Sequence, residues 1–156
     1  MLLREFIKLA MDIELAAAAV YDLFAQQFSD QVEFSTFWRL SAEAERYHAA
    51  TVRICGTAIP ADREVDEAQL PVEVESARQL LERLAALVED LRASPRTPAA
   101  AIEVALELES DGAEIHGRTQ FAFLYPELAE MFSRLAAEDR EHRKSFELAR
   151  AKFAAS

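Results

Sequence analysis

Two stretches of this chain, 95 positions apart, are written in one pattern, and that duplication limits the fold more than any other feature. Ala10-Met11-Asp12-Ile13-Glu14 matches Ala105-Leu106-Glu107-Leu108-Glu109, and seven residues further on Tyr21 matches His116. Arg39-Leu40 matches Arg134-Leu135. One residue then drops out, and Glu45-Arg46-Tyr47-His48 matches Asp139-Arg140-Glu141-His142. Each unit reads as a helix with one inward acid, followed by a helix with an acid-x-x-His pair. Residues three apart on a helix lie one turn apart on one face, so each pair can serve a single centre. Two such units around a pseudo-twofold axis make a four-helix bundle with the acids and imidazoles at its middle.

Helical periodicity supports the same layout along the chain. A first helix over 3–28 carries Phe6, Ile7, Ala10, Met11, Ala17, Ala18, Tyr21 and Phe24 on one stripe. Glu14 falls on that stripe, where a carboxylate is costly unless a partner, a proton or a metal compensates it. The plainer alternative is a partly exposed residue at the stripe's edge. A second helix over 33–54 places Trp38 and Val52 two turns either side of Glu45, so Glu45 and His48 point inward, and Gly56 reads as its stop. After a crossover loop over 57–71, a third helix over 73–92 has an apolar face but no inward His or acid. Covering the bundle or forming a dimer is its expected task.

A fourth helix over 98–122 follows the Ser94-Pro95-Arg96-Thr97-Pro98 break and carries Glu109 among Ala105, Leu106, Gly112 and Ala113. A glycine inside a helix costs about 1 kcal/mol relative to alanine, so Gly112 is read as serving close packing or access to a site. A fifth helix over 126–153 has Leu128, Met131, Phe132, Leu135, Asp139, His142, Phe146 and Ala149 facing inward.

Composition narrows the class. A chain of 156 residues with 51% apolar residues and only three glycines reads as one all-α domain. A formal charge of −11 argues against nucleic-acid binding and offers no basic patch to a membrane surface. Cys55 is the only cysteine, which excludes an intrachain disulfide and a Cys-x-x-Cys clip and fits a reducing cytoplasm. Arg4, Lys8, Asp12 and Glu14 interrupt the first 20 residues, and no run is long enough to span a bilayer. The expectation is a soluble, cytoplasmic protein.

The repeat brings together Glu14, Glu45, His48, Glu109, Asp139 and His142. Four carboxylates and two imidazoles form the donor set of a dinuclear carboxylate centre. Oxygen and imidazole donors suit iron or manganese, with zinc possible for a site assembled in vitro. Tyr21 and His116 hold matching places beyond the acids of their helices. Either they hydrogen-bond the carboxylate of the opposite repeat, or they are packed rings with satisfied polar tips. His116 is also a candidate extra ligand. Tyr47, Glu43, Glu138, Glu141, Glu107 and Glu114 read as solvated helix faces.

On these motifs (Ile13-Glu14 with Tyr21, Glu45-x-x-His48, Leu108-Glu109, and Leu135 through His142) the chain resembles the ferritin-like diiron proteins, most closely the rubrerythrin branch. The resemblance covers most of the chain but not the helix over 73–92. It implies two iron ions, with Glu14 and Glu109 as terminal ligands, His48 and His142 on one metal each, and Glu45 and Asp139 as bridges. Three departures stand out. Asp139 replaces the family's usual Glu, Gly112 stands where rubrerythrins carry a second acid, and one cysteine cannot build their rubredoxin module. The expected function is reduction of hydrogen peroxide or oxygen by a homodimer re-reduced by an external electron donor. Ferroxidase or iron-storage chemistry is the alternative within the class, and a metal-free helical interaction module the alternative outside it.

Overall fold

A computed structural model describes residues 3–57, 60, 71–117 and 126–153, the side chains of residues 3, 71–73, 113–117 and 127 excepted. Five helices account for nearly all of them: α1 (Leu3–Gln27), α2 (Val32–Thr57), α3 (Pro71–Ala93), α4 (Pro98–Gly117) and α5 (Pro126–Phe153). No strand occurs among the described residues, and none of their helices is long and apolar enough to cross a membrane. Most of the crossover over 57–71, and the expected end of the fourth helix over 118–122, lie outside the described residues.

Local chemistry sets the helix ends. Pro71 and Pro98 occupy first-turn positions, where a missing N–H has no helical partner to lose. Ahead of α4, the hydroxyl of Thr97 accepts the Ala100 N–H at 3.2 Å as an N-cap. The turn between α1 and α2 is satisfied internally, with the Ser35 hydroxyl donating to the Ala25 carbonyl at 2.8 Å. Gly56 is not the stop expected of it, since α2 continues through it to Thr57 and no glycine has a positive φ. Its lack of a side chain serves a close approach instead. A Cβ there would lie 2.7 Å from Ile7 Cγ2 on α1.

Helix α1 packs along α2 and α4 along α5; the pairs meet through α2 and α5, and α3 lies against α1 and touches α4. Both pairs are antiparallel. Phe28 meets Phe34 at one end of the first pair and Ile7 meets Gly56 at the other. In the second, Ser110 meets Arg143 and Glu103 meets Arg150. Helix α3 therefore covers the bundle, with Val74, Ala77, Leu80 and Leu84 buried.

Two apolar clusters fill the interior. One is built around Trp38, whose indole lies 4.8 to 5.7 Å from the rings of Phe24, Phe34, Tyr21 and Phe146. The other gathers Phe6, Ile7, Val52, Phe132 and Leu135. Between them lies a polar layer. On α2, Glu45 and His48 separate Ala42 of one cluster from Val52 of the other. On α5, Asp139 and His142 separate Leu135 from Phe146 in the same way.

Candidate metal centre

Each acid of the polar layer is delivered by a helix whose neighbouring turns are apolar, so packing of those turns turns the carboxylate inward. Glu14, Glu45, Glu109, Asp139 and His48 are all buried, each 5% exposed or less. The His142 side chain is 24% exposed and lies at the rim.

Glu45 stands between the two histidines. Its Oε2 lies 3.1 Å from His48 Nδ1, and its Oε1 lies 3.2 Å from His142 Nδ1. The imidazoles are stacked, with centroids 5.1 Å apart and planes 18° from parallel. Glu14 Oε2 is 3.5 Å and Asp139 Oδ1 is 4.0 Å from the same Nδ1 of His48. On the other side, Glu109 Oε2 is 3.8 Å from His142 Nδ1. One donor atom each from Glu45, His48 and His142 can be chosen so that all lie within 4.8 Å of one another. Glu45 Oε1 is buried with no hydrogen-bond donor aligned with it, although His142 Nδ1 is near.

The electrostatics are those of an anionic pocket. Burial pushes the His48 imidazolium down, but hydrogen bonds and charge from Glu14 and Glu45 outweigh it and raise the ring from its ordinary 6.5 to about 11. Burial and the Glu45 charge push the Glu109 carboxyl well above the usual range, with the Tyr21 hydrogen bond opposing them. Tyr21 itself is raised by burial and then by the charge of Glu109. Acids packed this closely ionise together only where positive charge or protons compensate them.

Tyr21 reaches across to the other repeat, donating its O–H to Glu109 Oε1 at 2.8 Å. The side chain of His116, its counterpart, lies outside the described residues. Gly112 lines a cavity of about 30 Å³ against the carboxylates, and α3 closes the cavity with Leu80 and Leu84. Among the described residues a Cβ at Gly112 would meet only Asp139 Oδ2, at 3.8 Å, so the glycine leaves space beside the site.

One reading of the surface acids is corrected. Glu138 is not a freely solvated residue, since its Oε2 lies 3.0 Å from His48 Nε2. No periodicity marks it, because it is turned about 100° from its inward neighbour Asp139. The α2–α5 seam brings His48 to it. Tyr47, Glu43 and Glu141 are exposed, as expected.

No protein family, curated protein or solved structure matches this chain. The site's own chemistry is the guide to what it does.

Proposed function

We propose that the chain is a ferritin-like dinuclear protein of the rubrerythrin type, in which two iron ions reduce hydrogen peroxide or oxygen at the expense of an external electron donor. The observation that carries this reading is Glu45, with one carboxylate oxygen beside Nδ1 of each histidine. A carboxylate so placed is suited to bridge two cations. Glu14 and Asp139 then complete the His48 side and Glu109 the His142 side. The donor set is oxygen-rich with one imidazole per ion, which fits iron or manganese better than a soft-ligand metal.

A metal-free module fits less well. It keeps four carboxyl groups buried within one layer, where burial and mutual repulsion oppose their ionisation. Two divalent cations balance four carboxylates.

Bound iron would supply two electrons in one step, converting one peroxide and two protons to two waters. The cavity beside Glu14, Glu45 and Glu109 holds a molecule of a few heavy atoms, which favours peroxide or dioxygen over an organic substrate. Leu80, Leu84 and Leu108 keep its wall apolar and limit bulk water, while the Tyr21 hydroxyl holds Glu109 in place.

Anaerobic Fe(II) titration followed by peroxide or air tests the proposal. Two ions per chain are expected, falling to none in Glu45→Ala with His48→Ala, and oxidation is expected to be faster with peroxide. Unchanged uptake in the double variant would sink the reading. Faster reaction with oxygen would turn it towards iron oxidation.

A further inference from the structure

The repeat makes the two histidines equivalent in sequence, but their outer nitrogens have unequal surroundings. His48 presents Nε2 to Glu138 Oε2 at 3.0 Å while its Nδ1 faces Glu14, Glu45 and Asp139. Glu138 is itself held. Arg134, one turn earlier on α5, donates Nε–H to Glu138 Oε1 at 2.9 Å. The same guanidinium donates from Nη2 to the Tyr47 hydroxyl on α2 at 2.9 Å and lies 6.0 Å from that ring's centre. A line of four side chains, Tyr47, Arg134, Glu138 and His48, thus runs from the surface to the centre across the α2–α5 seam. Among the described residues no acid stands beside Nε2 of His142, and Glu43, which matches Glu138 in the repeat (Arg39-Leu40-Ser41-Ala42-Glu43 against Arg134-Leu135-Ala136-Ala137-Glu138), pairs with Arg46 instead.

We propose that Glu138 is a positioning residue for His48, clamped by Arg134 and Tyr47, and that it makes the His48 metal position the tighter of the two. The inference rests on the dinuclear reading above. A carboxylate accepting the Nε2–H of a neutral imidazole keeps the proton on Nε2, leaves the Nδ1 lone pair free for a cation, and raises its basicity. It also stops the ring from turning. Losing such a partner lowers metal affinity about 10- to 100-fold.

The full chain titrated with Co(II), followed by its ligand-field absorption and by calorimetry, tests this. The wild type is expected to bind two ions with unequal affinity. Glu138→Ala should weaken the tighter position about 10- to 100-fold and leave the other unchanged, bringing the two affinities together. Glu138→Gln keeps an acceptor oxygen and should fall between, and Arg134→Ala should weaken the same position by a smaller factor. A second background separates positioning from general damage. In His48→Ala, which retains only the His142 position, adding Glu138→Ala should change nothing. Equal weakening in both backgrounds, or wild-type affinities in Glu138→Ala, would overturn the inference and leave the dinuclear site standing. A wild type that binds no pair of ions would overturn both.

Discussion

At the scale of single residues, His48 is the most informative group. Its folded-state pKa of about 11 lies above the ordinary 6.5, so in metal-free protein it is an imidazolium paired with Glu14 and Glu45. The stability it contributes is fully present below pH 6.5 and is lost as pH rises through about 11. With chelator present, the stability advantage of wild type over His48→Gln should therefore shrink between pH 8 and 11, as read by urea unfolding. A constant difference would contradict the assignment. A cation on Nδ1 must displace a proton, so calorimetry at pH 7.5 in buffers of different ionisation enthalpy should report proton release on binding. Spacing alone made Glu45 and His48 legible. Glu138 was not, because a helix face facing solvent and one facing a neighbouring seam look the same in a sequence.

Among the elements, Gly56 of α2 and Gly112 of α4 separate local from tertiary causes. Neither has the positive φ that only glycine tolerates well, so each can be tested by alanine. At Gly112 a methyl meets nothing closer than 3.8 Å among the described residues, and the helix-interior cost of glycine is removed. Gly112→Ala should stabilise the metal-free protein by about 0.5 to 1 kcal/mol. At Gly56 the same methyl would lie 2.7 Å from Cγ2 of buried, β-branched Ile7, which has few other rotamers. Gly56→Ala should destabilise by about 1 to 3 kcal/mol. Paired thermal melts check the opposite signs, and a shift in the same direction for both would refute the packing argument. From sequence Gly56 reads as a stop because glycine after an apolar stripe usually is one. What fills its space is a residue almost 50 positions away, on another helix.

At the scale of the whole molecule, the polar layer is where the α1–α2 pair and the α4–α5 pair face each other. Glu14, Glu45 and His48 come from the first pair, and Glu109, Asp139 and His142 from the second. A cation held between them would tie the two pairs together and would have no such site in the unfolded chain. At 100 times its Kd, one ion adds about 2.7 kcal/mol to unfolding, and each kcal/mol is worth about 2 to 4 °C for a chain of this size. Calorimetric melting should thus move up by several degrees with Co(II) or anaerobic Fe(II) and return with chelator. Identical melts with and without metal would argue against a cation at this layer.

The chain alone carries the helices and the inward acids, because periodicity and the acid-x-x-His spacing are local and one helix suffices to read them. It also determined that there are two such units, because a repeat is visible without any fold. Helix packing puts Glu45 between both imidazoles, carries Tyr21 across to Glu109 and opens a cavity beside Gly112 under α3. It alone decided that the copies are unequal, with Glu138 beside His48 and no acid in that place beside His142 among the described residues. The physical reason is reach. Spacing fixes which way a side chain leaves its own helix, but what it meets a few ångströms further on belongs to another helix, and packing of the apolar layers sets that distance.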